Sequence, residues 1–494
     1  MTTGTRSGEI PAGLTVSYSG IRGIIGDSLT PDIARRFGAA FATMVAERSS
    51  RPTVLLARDT RPSGVELLAQ VVAGMGGDGW RLLDLGVVAT PTLQFCLEHF
   101  RADGGVIVTA SHNPAQWNGF KFFMGCGAPP PDTDMAVWSG RGENTVLDQA
   151  QTARILSLVT SRVTPLGGTP SIEPAHDEAV RAHVERVLAQ VDGDAIRARG
   201  FRVALDAGRG AGHDAARTLL ERLGCTVIDV EAERDSEPLP ENLGELRKAV
   251  VEGRCDLGFA QDLDADRLAL VDEAGTPAGE EFTLVLTVDH VLGTRVAARH
   301  GRTSATGWRI DRRPAVVVKN LSTTRAIDAV VTRHGAALVE TRVGEVNLSR
   351  ALARACAEDQ FAFGGEGNGG VIWPPVSFGR DSLVGIGLVL EALSGHRTRL
   401  SQHLRALPHF QERKAKVASP GRDHLAPVFE RVVAAFPGGR VDTMDGVRVC
   451  FEDGSWVGIR PSNTEPILRL VSESPLADWA HAAMDTLSRA VTGA

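Results

Sequence analysis

Four stretches of the chain gather residue types that chemistry uses. In GGVIVTASHNPAQWNGFK (104–121) an apolar run ends on Ser111, beside His112, and reaches Lys121 after Pro114 and Gly119. A hydrolase elbow would read G-x-S-x-G, and this loop does not. His112 is expected to be a poor base for Ser111, because adjacent side chains in an extended strand face opposite ways. A serine that stores a phosphoryl group needs no such base at rest, and Lys121 would then serve as proton carrier or counter-charge. Taken alone, Ser111 reads better as a hydroxyl capping a turn.

The second stretch, Q-D-L-D-A-D-R, changes that balance. Asp262, Asp264 and Asp266 alternate and precede Arg267. In extended backbone the three carboxylates would point one way, and such packing needs a cation. Oxygen-only ligands suit Mg²⁺ or Ca²⁺. An EF-hand loop fails, since Arg267 stands where its glycine is required and the flanks LGFA and LALVD read as strands. Those apolar flanks also argue against a solvated acidic turn. A bound cation beside Ser111 would offset the charge of a phosphoserine.

The third stretch, G-G-E-G-N-G-G (364–370), sets Glu366 and Asn368 on a glycine frame, either to recognise hydroxyls or as a plain flexible turn. The fourth, R-P-S-N-T-E-P-I-L-R, holds Arg460, Ser462, Asn463, Thr464 and Arg469. Two arginines can fork a phosphate while hydroxyls complete a cradle. A helix start capped by Ser462 or Thr464 is the competing reading.

Three similar units are expected to position these loops. Each has a strand, a helix ending near Gly and a second strand, then closes on a strand that feeds a polar loop: VLLAR to Ser111, RVALDAG to Asp262 and AVVVKN to Glu366. This grammar predicts α/β layers. TPLGGTPSIEP (164–174) reads as a linker, with further breaks near 295–313 and 401–420. The remainder is a smaller α+β unit, in which RVCF and WVGIR alternate as strands around a D-G-S turn. The expected domains are 1–165, 170–298, 299–405 and 410–494.

Composition bounds the function. The chain has 494 residues and a net charge of −7, which argues against a nucleic-acid partner. No apolar run reaches the ~18 residues of a membrane span. The opening MTTGTRSGEIPAG lacks a signal core, and the six scattered cysteines form no C-x-x-C pair. A cytoplasmic protein with reduced thiols is expected.

Taken together, T-A-S-H-N-P with Lys121, D-L-D-A-D-R, G-E-G-N-G-G and R-P-S-N-T-E-P resemble the α-D-phosphohexomutase family. S-G-I-R-G (19–23), R-D-T-R-P-S-G (58–64), D-L-G-V-V-A-T-P-T (84–92) and G-R-D (379–381) extend the resemblance over nearly the whole chain. It implies four domains around a central cleft: three related α/β domains with mixed sheets and a smaller C-terminal α+β domain. It also implies phosphate transfer between the 6- and 1-hydroxyls of a hexose through a bound hexose 1,6-bisphosphate. In that scheme Ser111 is the phosphoserine and joins Asp262, Asp264 and Asp266 around Mg²⁺. Lys121, Arg267 and His112 are the further catalytic candidates, and Arg22 faces the cleft. Glu366 and Asn368 hold sugar hydroxyls. Arg460, Ser462, Asn463, Thr464 and Arg469 hold the phosphate that is not reacting.

Two departures stand out. Many members have G-E-x-S-G-H in the third loop, whereas here Asn368 replaces the serine and Gly370 the histidine, which leaves that histidine's base role unfilled. Leu263 replaces the usual Gly or Pro between the first two aspartates. Glucosamine phosphate is the leading substrate, with mannose or glucose phosphate as the close alternative. A sugar phosphatase and a silent phosphosugar-binding protein are the remoter readings. Oligomeric state is not readable from the sequence.

Overall fold

The computed structural model describes residues 10–493 except 18, 127–143, 233, 235–236, 297–312, 396–397, 422–423 and 463–466. Among the described residues, 21 strands form four sheets. The first contains β1 (Thr15–Ser17), β2 (Gly20–Ile24), β3 (Thr53–Arg58), β4 (Arg81–Val87), β5 (Gly104–Val108), β6 (Trp117–Met124), β7 (Thr145–Val146) and β8 (Ser171–Pro174). They run in the order β1-β2-β6-β5-β3-β4-β8, with β7 paired to β6. The second sheet has β9 (Arg202–Asp206), β10 (Thr226–Asp229), β11 (Leu257–Gln261) and β12 (Leu268–Asp272) in the order β10-β9-β11-β12. The third repeats that order with β13 (Ala315–Asn320), β14 (Ala337–Thr341), β15 (Phe361–Glu366) and β16 (Gly370–Ile372), as β14-β13-β15-β16. In all three, the strand leading to the polar loop lies parallel to its inner neighbour and antiparallel to the strand that follows it.

The repeated grammar holds, with one addition. The helices Gly64–Met75, His213–Arg222 and Ala326–His334 are each followed within two residues by a glycine with positive φ. Each unit also inserts a second helix before its closing strand: Thr90–His99, Gly244–Glu252 and Glu345–Ala357. The segment 164–174, expected to be a linker, ends instead as β8, parallel to β4. Its backbone pairs an edge that β4 would otherwise expose. Part of the break expected near 295–313 lies outside the described residues.

The helix Ser382–Ser394 explains how the first three units become one body. It is apolar almost all round and buried along nearly its whole length, as a core helix should be. Its Leu388 shares a single apolar cluster with Leu55, Val203 and Val317 from the three sheets. The fourth sheet is antiparallel: β17 (Gln411–Ala418), β18 (Arg440–Asp442), β19 (Val447–Cys450), β20 (Trp456–Pro461) and β21 (Ile467–Ser474), in the order β17-β21-β20-β19-β18. RVCF and WVGIR fall on β19 and β20, joined through the D-G-S turn. This unit has its own core, which includes Val432, Val449, Leu470 and Leu487.

Polar latches join the fourth unit to the third. Arg448 forks Glu340 at 2.8 and 2.7 Å. The Glu473 carboxylate accepts from the Arg325 N–H at 3.1 Å, and Asp445 from the Val343 N–H at 3.0 Å. Among the described residues no helix is long and apolar enough to cross a membrane. None of the six cysteines is joined in a disulfide.

Candidate active site

Ser111 sits just past the end of β5 with φ 50°, in the left-handed region that non-glycine residues rarely occupy. The extended geometry assumed from the sequence does not hold here, and this corrects the expectation for His112. The turn swings its ring back, so His112 Nδ1 lies 3.3 Å from Ser111 Oγ. Arg61 holds the loop in this shape. Its guanidinium donates to the carbonyls of Ser111, Asn113, Pro114 and Trp117 at 2.6–3.0 Å, and it pairs with the buried Asp59 at 3.3 Å. The Asn113 side chain accepts from Arg22 on β2 at 2.9 Å.

The aspartate loop connects β11 to β12. It turns through Ala265 at φ 55° and is not extended, yet the three carboxylates converge. Asp262, Asp264 and Asp266 are fully buried, with one oxygen from each lying within 4.8 Å of the others. Ser111 Oγ donates to Asp262 Oδ2 at 3.3 Å, across two sheets. Lys121 on β6 reaches Asp264 at 2.6 Å and Asp266 at 3.2 Å. Thr90 Oγ1 donates to Asp264 Oδ2 at 2.7 Å. Two oxygens, Asp264 Oδ1 and Asp266 Oδ1, are buried without any hydrogen-bond donor among the described residues. Oxygen atoms of that kind fit a hard divalent cation such as Mg²⁺.

Electrostatics follow from this crowding. Burial and the two neighbouring carboxylates push the proton affinity of Asp262 well up. Burial also opposes charge on Asp264, but Lys121 and Thr90 outweigh it and hold that group below the usual carboxylate range. Burial disfavours the Lys121 ammonium, but Asp264 and Asp266 overcome this and keep it above the ordinary lysine value. His112 is held well below the normal imidazole range by burial, Arg267 and Arg22. It is therefore neutral, with Nδ1 accepting from Arg267 at 3.2 Å.

The third loop connects β15 to β16. Glu366 accepts from Asn320 at 2.9 Å, Asn368 at 3.2 Å and Arg380 at 2.8 Å. Arg380 also donates to Glu345 at 2.9 Å and to Asp266 at 2.6 Å, so one guanidinium ties together three loops. The adjacent Asp381 caps the buried helix and accepts from His183 Nε2 at 2.8 Å. On the fourth sheet Arg460 and Arg469 are direct cross-strand partners, and Lys416 on β17 is opposite Arg469. The three cations therefore share one face. Asn463 and Thr464 lie outside the described residues.

A cleft of about 220 Å³ gathers Arg22, Ser111, His112, Lys121, Arg267, Glu366, Asn368, Arg460, Ser462 and Arg469. It continues into a lobe of about 360 Å³ that Lys416 also lines. Sequence reasoning missed Arg61, Thr90, Glu345 and Lys416 as site residues, and left Arg380 without a role. It also passed over G-R-G-A-G (208–212), which braces the aspartate loop from behind. A Cβ on Gly210 would stand 2.6 Å from the Leu263 carbonyl oxygen, and one on Gly212 would stand 2.4 Å from Ala265 Cβ.

Comparison with known proteins follows the same division of the chain. Phosphoglucomutase/phosphomannomutase alpha/beta/alpha domains I, II and III match residues 14–138, 181–275 and 294–410, and the C-terminal domain of that family matches 414–490. A "Phosphoglucomutase/phosphomannomutase" of Thermococcus kodakarensis is 33% identical over 466 residues, covering 92% of this chain and 93% of its own. A "Probable phosphoglucosamine mutase" of Methanopyrus kandleri is 33% identical over 482 residues, covering 94% and 95%. A crystal structure of a phosphoglucomutase/phosphomannomutase family protein from Burkholderia thailandensis superposes with a TM-score of 0.75 at 23% identity, covering 97% of this chain and 98% of that one.

Proposed function

Because the chain belongs to the phosphoglucomutase/phosphomannomutase family, a family of isomerases, we propose that it moves phosphate between the 6- and 1-hydroxyls of glucosamine phosphate. The observation that carries the mechanism is the meeting of Ser111 Oγ with Asp262 Oδ2 at 3.3 Å, both buried and borne on different sheets. Ser111 Oγ stores the phosphoryl group and hands it to the free hydroxyl of a sugar phosphate. The resulting hexose 1,6-bisphosphate turns end for end and returns its other phosphoryl group to Ser111.

Asp262, Asp264 and Asp266, with the phosphoryl group of Ser111, would hold Mg²⁺, which neutralises charge on the transferring phosphoryl. Lys121 and Arg267 add fixed positive charge at the same place. Arg460, Arg469 and Ser462, together with Asn463 and Thr464, grip the phosphate that is not reacting. Because the sugar reverses, this cradle takes the 6-phosphate in one half-reaction and the 1-phosphate in the other. Glu366 and Asn368 accept and donate to sugar hydroxyls. Arg22 holds Asn113 and so steadies the Ser111 loop.

The Methanopyrus relative's name supports the amino sugar, and the Thermococcus relative's name supports a second reading, a mannose or glucose phosphate. The test compares glucosamine, mannose and glucose 6-phosphates with glucose 1,6-bisphosphate and Mg²⁺ present. The largest kcat/KM is expected for glucosamine 6-phosphate. Intact mass should show one phosphate on the chain, absent in Ser111→Ala. Release of inorganic phosphate in place of the isomer would replace the mutase reading with a phosphatase.

A further inference from the structure

Resting on that mutase reading, we infer that Glu345 is the group that takes and returns the proton of the reacting sugar hydroxyl. The glycine at position 370 offers no side chain for that proton. No histidine fits there, because a Cβ on Gly370 would stand 2.4 Å from Arg380 Cδ and 2.8 Å from its Cγ. Arg380 has taken that space, and Arg380 in turn holds Glu345.

The other proton-transfer groups lining the reacting end of the cleft are already committed. Lys121 is ion-paired to Asp264 and Asp266 at 2.6 and 3.2 Å. His112 Nδ1 accepts from Arg267 and lies beside Ser111 Oγ. Glu237 is paired with Arg267. Glu366 has one oxygen on Asn320 and the other on Asn368 and Arg380. Glu345 differs. Its Oε2 accepts from Arg380 Nε at 2.9 Å, which fixes the side chain, and no described residue donates to Oε1. The carboxylate lines the same cleft as Ser111 and Lys121. The groups facing it are Arg380, Asp266 and Lys121; burial raises its proton affinity and Arg380 restrains the rise.

The proton balance closes over one cycle. The sugar oxygen attacks phosphorus as its proton passes to Glu345, and the phosphorus–Oγ bond breaks with its electron pair on Ser111 Oγ, which takes that proton from Glu345 and becomes the hydroxyl that donates to Asp262. In the return half, Ser111 Oγ gives its proton to Glu345 as it attacks the other phosphoryl group. The departing sugar oxygen then takes the proton back from Glu345.

The test is Glu345→Gln in the full-length protein with Mg²⁺ and glucose 1,6-bisphosphate. It should keep KM within about threefold and lose about 10²–10⁴ in kcat, the usual range for general acid–base catalysis. The fall of wild-type kcat on the acid side, as Glu345 becomes protonated at rest, should vanish in Glu345→Gln. It should persist, at lower kcat, in Glu345→Asp. A Glu345→Gln enzyme with more than about a third of wild-type kcat overturns the assignment. So does a slow variant that keeps the acid limb, or one that loses calorimetric binding of the sugar phosphate. If the wild type itself isomerises no hexose phosphate, the mutase reading falls first and takes this inference with it.

Discussion

The hairpins β11–β12 and β15–β16 occupy the same place in two sheets of identical strand order, and they treat charge in opposite ways. The first crowds three buried carboxylates and leaves Asp264 Oδ1 and Asp266 Oδ1 without a donor. The second carries one carboxylate, Glu366, with an amide on one oxygen and an amide and a guanidinium on the other. An open set of anionic oxygens asks for a cation. A carboxylate whose oxygens are already met by amides and a guanidinium has no such need. The scaffold decides where a loop stands, and its side chains decide what it binds.

The difference can be tested from the open hairpin outward. Asp264→Asn should lower kcat by about 10²–10³-fold, as expected when a preorganised electrostatic group is lost. Calorimetric Mg²⁺ binding should weaken in the same variant, and full activity in metal-free buffer would show that the loop holds no ion. Saturated carboxylates carry a different signature, clearest at Glu340. Burial opposes its charge, but Arg448 and Lys319 outweigh it and bring its pKa down to about 2 from 4.5. A depressed carboxylate stabilises the fold fully above its unfolded pKa, and this contribution drains as pH falls from about 4.5 toward 2. Discounted for screening by the solvent that reaches the pair, that is about 1–2 kcal/mol. Urea unfolding at pH 6 and pH 3.5 should show a larger loss for wild type than for Glu340→Gln; equal losses would remove the fork from the account.

Smaller effects sharpen the saturated hairpin. Gly370→Ala should cost about 1–3 kcal/mol through overpacking against Arg380, read as a lower melting temperature. An unchanged melting temperature would mean that Arg380 moves freely. Glu366→Gln should raise KM about tenfold, near the value of one hydrogen bond, while Mg²⁺ affinity stays put. A fall in Mg²⁺ affinity as large as that of Asp264→Asn would erase the distinction between the two hairpins.

The loops were legible because each is local: an apolar strand runs straight into the polar residues that matter. Ser111, Asp262 and Glu366 could be read in that way. The fourth loop was only partly so, since Asn463 and Thr464 are not among the described residues. The orientation of His112 was misjudged because a left-handed serine cannot be inferred from its neighbours' types. The helix Thr90–His99 escaped notice because it is buried along most of its length and shows no polar face. Arg380 had no readable role because its partners stand at positions 266, 345 and 366, and only folding brings them together. Lys416 meets Arg469 solely through strand pairing.

Arg380 also constrains how this sequence can change over time. Its side chain is 11% exposed and faces three carboxylates that are themselves nearly enclosed. Losing it would strand those charges, which typically costs about 3–5 kcal/mol when one partner of a buried pair is removed. Neutralising any one carboxylate is gentler, because two remain. Substitutions at 266, 345, 366, 370 and 380 are thus expected to be strongly non-additive. A lineage that placed a histidine at position 370 would first have to give up the arginine at 380, and it would pass through a damaged intermediate unless the neighbouring acids changed with it.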